Sequence, residues 1–217
     1  MSKPALLELF AGTGSIGKAA RQLGFDVFSS DFDEKFDVDY CTDIMDFQFA
    51  DVTLQPNVIW ASPPCTTFSI ASVSHHWNKD RTPKTDAAFN GKAIVEKTLR
   101  IIDHYQPEYW FIENPRGMLR KMPFMQNMVR HTVTYCQYGD TRMKPTDIWT
   151  NNLDWQPRPM CKNGMPCHQS APRGSSTGTQ GVKGKADRSR IPHELCIEIM
   201  QSCLTATKDS KEEGDQA

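Results

Sequence analysis

The strongest constraint on this chain lies near its start, where a strand, a glycine-rich turn, a helix and a second strand can be read within about thirty residues. Leu6-Leu7-Glu8-Leu9-Phe10 has the length and apolar character of a buried strand, and Gly12-Thr13-Gly14-Ser15 opens a helix running to about Leu23. Gly24 supplies a left-handed stop, after which Phe25-Asp26-Val27-Phe28 resumes as a strand. This order predicts a right-handed βαβ unit, and with it a parallel sheet covered by helices on both faces.

The alternation continues with the apolar runs Asn57-Val58-Ile59-Trp60-Ala61 and Tyr109-Trp110-Phe111-Ile112, separated by helical periodicity from Ala93 to Tyr105. The expected fold class is therefore α/β, a doubly wound and mostly parallel sheet of Rossmann-like kind, with one catalytic domain over residues 1–150. In such sheets ligands bind beyond the carboxyl ends of the strands, so residues 11–17, 30–33, 62–69 and 113–117 are the ones to examine. From Asn151 to Ser189 the periodicity gives way to Pro, Gly, Ser, Thr and basic residues, which predicts a small irregular insert or loop over 151–189. A closing helix is expected within 190–207, roughly Pro192 to Leu204, and the polar stretch 208–217 is expected to be frayed.

A net charge of −1 would argue against a polyanionic partner if the charges were evenly spread. They are not. Acidic residues crowd the stretch from Asp26 to Asp51, while Arg158, Lys162, Arg173, Lys183, Lys185, Arg188 and Arg190 crowd another. That asymmetry suits a cationic cofactor at one end and a nucleic acid at the other, or simply two solvated faces. With no run long enough to cross a bilayer and no secretory leader after Met1, an intracellular, cytoplasmic protein that does not engage membranes is expected. The seven cysteines are an odd number without export context, so each must be weighed for reactivity or metal binding rather than for disulfides.

Gly12, Gly14 and Gly17 form a G-x-G-x-x-G pattern after a strand, and Asp31 stands about twenty residues beyond Gly12 at the end of the next strand. A nucleoside-bearing cofactor follows, with Asp31 able to accept hydrogen bonds from ribose hydroxyls. The pattern by itself does not separate a dinucleotide from S-adenosylmethionine, but Glu8 and the acidic stretch suit a sulfonium better than a pyrophosphate. Asp43-Ile44 could meet an adenine amino group, while Phe10 and Phe32 either bracket the ring or belong to the core.

At the other end, Cys65 follows Pro63 and Pro64 just beyond an apolar strand. Two prolines restrict the backbone before the thiol and hold it at the mouth of the strand, which reads as a nucleophile. Glu113-Asn114-Pro115 also lies directly after a strand, so its carboxyl can act as an acid/base partner or cap the turn that follows.

Phe10-Ala11-Gly12-Thr13-Gly14, Pro63-Pro64-Cys65 with Phe68-Ser69, and Glu113-Asn114-Pro115 together resemble the successive motifs of the cytosine-5 DNA methyltransferases. The resemblance implies the S-adenosylmethionine-dependent methyltransferase fold, with cofactor contacts from Phe10, Ala11, Gly12, Thr13, Gly14, Asp31, Phe32, Asp43, Ile44 and Pro64. It implies that Cys65 adds covalently to carbon 6 of a flipped cytosine and that Glu113 holds ring nitrogen 3 and the exocyclic amine. It assigns a base contact to Arg142, in Gln137-Tyr138-Gly139-Asp140-Thr141-Arg142-Met143-Lys144, where Lys144 stands in place of the usual second arginine and a phosphate contact is the alternative. Duplex DNA is the implied partner of a monomeric enzyme. The same chemistry on tRNA and a non-catalytic nucleic-acid-binding module are the other readings.

Ser69 to Asn90 carries His75, His76, Lys79, Arg81 and Lys84 and is long enough to close over an extruded base. The insert is far shorter than the target-recognition domain of typical members, which resembles compact phage or prophage-encoded forms and implies a short target or recognition shared with a partner. No metal site is expected for catalysis. Cys161, Cys167 and His168, with Cys136, could hold zinc and stiffen the insert, although their spacing matches no standard finger.

Overall fold

Every apolar run read above forms a strand in the computed structural model, which describes residues 3–162, 164–169, 182 and 184–212. The sheet contains β1 (Ala5–Leu9), β2 (Asp26–Asp31), β3 (Tyr40–Cys41), β4 (Val58–Ala61), β5 (Tyr109–Pro115), β6 (Arg130–Thr134) and β7 (Pro145–Thr150). Their spatial order is β3-β2-β1-β4-β5-β7-β6. The first five run parallel, and β7 is antiparallel to both β5 and β6. The chain winds outward from β1 through β2 to β3, then returns to lay β4 on the other side of β1. That reversal opens a crevice beyond the carboxyl ends of β1 and β4.

Five helices, α1 (Ser15–Gln22), α2 (Val73–His76), α3 (Asp86–Tyr105), α4 (Lys185–Ser189) and α5 (His193–Glu212), complete the described fold. Strand parity distributes the apolar runs between two layers. Leu7, Leu9, Ile59, Ala61 and Ile112 pack with Ala88, Val95 and Ile101 of α3. Their neighbours Leu6, Val58, Trp60 and Phe111 pack on the other face with Ile16 and Ala19 of α1 and Leu195, Ile199 and Met200 of α5. Strands that are apolar throughout thus serve a sheet buried on both sides.

Four departures from the sequence reading have local causes. β6 and β7 were not foreseen, because the first is short and the second begins with a proline and carries Asp147 in its middle. α3 starts at Asp86 rather than near Ala93, since the Thr85 hydroxyl accepts the Ala88 N–H as an N-cap and the first turns are polar outside. The segment expected as a loop to Asn90 therefore ends earlier, and it contains α2 and a bridge between Trp77 and Pro83. α5 continues to Glu212, past the point where fraying was expected, while 213–217 lie outside the described residues, as do 170–181 of the insert and the basic residues Arg173 and Lys183. Among the described residues no helix is long and apolar enough to cross a membrane.

The βαβ unit is closed by Glu8. Its two carboxylate oxygens accept the Ile16 and Gly17 N–H groups at 3.2 and 3.0 Å, satisfying donors that a helix start leaves open. A Cβ at Gly17 would stand 2.5 Å from Glu8 Oε2, so only glycine lets the helix come this close. Burial lifts the Glu8 carboxyl from 4.5 to about 7, against the two backbone donors that pull it down.

Two outcomes follow. Ile199→Ala should cost about 2–5 kcal/mol, read as a lower urea midpoint at unchanged slope, because the fully buried side chain joins α5 to the sheet. Because the folded state holds the Glu8 proton more tightly than the unfolded chain, this group's contribution is present at low pH. It is lost as pH rises from about 4.5 towards 7, by up to about 1.4 kcal/mol per pH unit. Urea unfolding of wild type and Glu8→Gln across that window should therefore diverge, with wild type losing ground; parallel curves would contradict the raised carboxyl.

Candidate active site

The strand register brings the carboxyl ends level. Leu9 lies opposite both Ser30 and Ala61, Asp31 opposite Cys41, and Ala61 opposite Ile112, so the segments after β1, β2, β3, β4 and β5 emerge along one edge. The turn after β1 is built from left-handed backbone at Phe10, Gly12 and Gly14, with φ of 57°, 51° and 68°. Phe10 pays the cost of that conformation for an L-residue, and its neighbours hold it there. Ala11 N–H donates to the Ser30 carbonyl at 3.0 Å and Gly12 N–H to Asp31 Oδ2 at 2.8 Å. Asp31 Oδ1 accepts the Asp33 N–H at 3.0 Å, so this carboxylate organises two loops.

Beside the turn lies a cleft of about 600 Å³, whose lining includes Ala11, Gly12, Thr13, Gly14, Phe36 and Arg190. A second, of about 370 Å³, is bounded by Thr13 and Ser15 on one side and Ile191 and Pro192 on the other. The entry to α5 closes this end, with Ile191 N–H donating to the Ser15 hydroxyl at 3.4 Å. Phe10, Asp31, Phe32, Asp43, Ile44 and Pro64 line neither cleft. Ile44 is buried in the α3-side core, against which Phe10 also packs, and Asp43 turns its carboxylate onto the Met45 N–H at 2.9 Å. Phe32 is 62% exposed at the end of β2, and Pro64 is exposed beside Cys65. Glu8, read as a partner for a sulfonium, borders the larger cleft but directs both oxygens to the backbone of α1.

The Cys65 loop is fastened to the β5 end at two points. Asn114, fully buried, donates from Nδ2 to the Pro63 carbonyl at 2.9 Å, and Met118 N–H donates to the Phe68 carbonyl at 2.7 Å. A Cβ at Gly117 would overlap that same Phe68 oxygen, which leaves glycine as the residue that admits the second clamp. Between these points Cys65 is half-buried, and its carbonyl accepts the Phe68 and Ser69 N–H groups at 3.1 and 3.0 Å. Beyond it Trp77 anchors the following segment, its ring tilted at 33° to Phe68 with centroids 5.3 Å apart, and its Nε1 donating to the Thr67 carbonyl at 2.8 Å. His76 Nδ1 pairs with the Thr85 hydroxyl at 2.7 Å.

Glu113 is buried, and its Oε1 accepts the Tyr135 hydroxyl at 3.1 Å. Lys144 Nζ stands 3.9 Å from the same oxygen and 4.7 Å from the Tyr135 ring centroid. Burial, followed by the neighbouring Glu113 charge, pushes the Tyr135 hydroxyl well above its usual range, so it remains a donor. Sequence reasoning overlooked Tyr135; the alternating Thr132-Val133-Thr134 before it was the signal for a strand delivering that side chain to the β5 end.

Arg142 is engaged within the protein. The resemblance assigns it a base contact; a 3-10 turn (Tyr135–Tyr138) and a loop connect β6 to β7, and Arg142 is buried within that connection. Its Nε and Nη2 hold the Asp140 carboxylate, and its remaining donors reach the carbonyls of Asp187, Arg188 and Arg190 at 2.9 to 3.1 Å. A guanidinium has five N–H groups, and each has a protein acceptor here. The cation next to Glu113 is Lys144.

Comparison with known proteins agrees with this architecture. The family described as C-5 cytosine-specific DNA methylase matches residues 5–131, a span that contains both Cys65 and Glu113 and ends before Tyr135. A Frog virus 3 protein named "Probable DNA (cytosine-5)-methyltransferase" is 28% identical over 219 residues, covering 91% of this chain and 99% of its own length. The type II methyltransferase M.HpaII of Haemophilus parainfluenzae is 28% identical over 148 residues, 61% of this chain and 38% of that enzyme. A crystal structure from E. coli, described as a prophage-encoded DNA modification methyltransferase, superposes with a TM-score of 0.53 at 14% identity. It covers 73% of this chain and 52% of that one, and it supports the shared fold. With more than half its length matched by the family, the chain belongs to the C-5 cytosine-specific DNA methylases.

Proposed function

We propose that this chain transfers a methyl group from S-adenosylmethionine to carbon 5 of cytosine in duplex DNA, with Cys65 as covalent nucleophile and the target base extruded. The observation that carries the reading is the double clamp, Asn114 to Pro63 and Met118 to Phe68, which holds the Cys65 loop against the strand end bearing Glu113. A thiol and a buried carboxyl with its own cation, side by side at a switch point, suit nucleophilic addition to an electron-poor ring.

The residues at the β1 and β2 ends fit the cofactor. The exposed Phe32 ring offers a face to a purine, the Asp31 carboxylate holds the Gly12 and Asp33 N–H groups, and the left-handed turn lets backbone come close to a ligand. S-adenosylmethionine, when bound, supplies an electrophilic methyl on a sulfonium. Cys65 adds as thiolate to carbon 6, forming the C6–S bond and moving the ring's electron pair to carbon 5. Glu113 holds ring nitrogen 3 and the exocyclic amine, offsetting the charge the ring takes up, and Tyr135 and Lys144 fix Oε1 of that carboxyl. Carbon 5 takes the methyl as the methyl–sulfur bond breaks and a neutral thioether leaves; the carbon 5 proton then goes to a base, the C5–C6 double bond reforms and the C6–S bond breaks, returning the thiolate. Base extrusion costs a few kcal/mol, and the segment after Cys65 is positioned to cover the vacated stack. The family and the Frog virus 3 relative are named for DNA, which favours duplex DNA over tRNA.

With labelled methyl donor, wild type should label cytosine in duplex DNA and form a trapped adduct on 5-fluorocytosine duplexes. Cys65→Ser should lose at least about a thousandfold in kcat. Label on tRNA with none on any duplex would overturn the DNA reading, and absence of both label and adduct would leave a binding module. Lys144→Met should lower kcat about 10²–10³-fold at little change in KM. Arg142→Met should instead cost about 3–5 kcal/mol of stability by leaving Asp140 and three carbonyls unpaired. A stable but inactive Arg142→Met beside an active Lys144→Met would reverse the two assignments.

A further inference from the structure

Outside the candidate active site, three thiols and an imidazole converge. Cys136 Sγ, Cys161 Sγ, Cys167 Sγ and a ring nitrogen of His168 all lie within 4.8 Å of one another. Cys161 Sγ is 3.2 Å from Cys167 Sγ and 3.3 Å from His168 Nδ1, while Cys167 Sγ is 3.8 Å from both Cys136 Sγ and His168 Nδ1. With Zn–S bonds of about 2.3 Å, the edges of a tetrahedral site are about 3.8 Å, so separations of 3.2 to 3.8 Å, all within 4.8 Å, bring the four groups to within about 1 Å of the corners of such a site. A disulfide would consume only two of them and leave a thiol and an imidazole facing it without purpose.

We propose that Cys136, Cys161, Cys167 and His168 form a structural zinc site that fastens the insert to the catalytic sheet. The donor set is soft, which selects zinc over magnesium or calcium, and it is complete, which leaves no open position for catalysis. Binding releases the three thiol protons to solvent and sets three thiolates and one neutral imidazole around the dication. The surroundings are built for this. Cys136 belongs to the turn after β6 and is buried, as is Cys161, whose N–H donates to the Thr134 hydroxyl at 2.8 Å. Gln137 Nε2 donates to Cys167 Sγ at 3.3 Å, a contact that steadies a thiolate, and Gln169 N–H donates to the Thr141 carbonyl at 2.9 Å on the far side of the cluster. Among the described residues the insert buries little apolar surface beyond Trp155, so a metal supplies the fixed point that a core would otherwise provide. The tie lands next to Tyr135, the residue that holds Glu113.

The test is metal analysis of the full chain, expressed and purified under reducing conditions without chelator, with no substrate present. Wild type should carry one zinc per chain, and cobalt substitution should give the visible bands of tetrahedral thiolate coordination. Cys167→Ser and His168→Gln, at the half-buried positions where folding is least at risk, should lose bound zinc at unchanged far-UV circular dichroism, and Cys41→Ser should keep it. The proposal is overturned by wild type that holds no stoichiometric zinc even after incubation with zinc and desalting. It is equally overturned by a Cys161–Cys167 disulfide in the freshly purified protein, or by variants that retain the metal in full. Zinc content is read independently of methyl transfer, so failure here leaves the assignment of Cys65 untouched.

Discussion

One hydrogen bond ties the reacting end of this protein together: the Asn114 amide donating to the Pro63 carbonyl. Proline has no N–H of its own, so the Pro63-Pro64 segment cannot be held by a strand ladder and needs a partner that reaches its carbonyl from outside. Asn114 provides that partner from the next parallel strand, one residue beyond Glu113. A single side chain thus sets the height of the Cys65 loop relative to the Glu113 carboxyl. The rest of the fold serves that alignment: the reversal of strand order between β1 and β4 creates the space, and the antiparallel β7 presses on the far side of β5.

The glycines follow the same logic of approach. Gly17 allows a helix to sit on the Glu8 carboxylate, and Gly117 allows the turn after β5 to donate the Met118 N–H to the Phe68 carbonyl. Neither lines the two clefts beside the β1 turn. The G-x-G-x-x-G pattern is therefore only partly a cofactor signature, since its third glycine answers to packing within the βαβ unit.

How much of this is legible in the chain depends on whether the information is local. Cys65 and Glu113 can be read because each directly follows a strand that announces itself by apolar content. That β1, β2, β4 and β5 form one mostly parallel sheet follows from the same runs and from the handedness of their crossovers. β6 and β7 escape such reading, since five- and six-residue strands carrying Arg130, His131 and Asp147 look like polar connections until Arg120 is seen pairing with Asp147 across them. The roles of Arg142 and Lys144 escape it for a different reason: which of two nearby cations faces the carboxyl depends on how the connection from β6 to β7 turns, and that turn is set by Asp140 and by carbonyls some forty-five residues away. Cys136 belongs with Cys161 and Cys167 for the same long-range reason.

The saturation of Arg142 has a consequence for how this segment can vary. Five donors meeting one carboxylate and three carbonyls form a rigid mould that no ammonium can fill, because lysine brings three donors on a single atom and would leave acceptors stranded. At position 144 the demand is the opposite: a compact charge at the end of a slim stem, slipped between an aromatic face and a carboxylate. Arg-x-Lys here is a directional word, and writing it backwards would spell neither the fastening nor the charge.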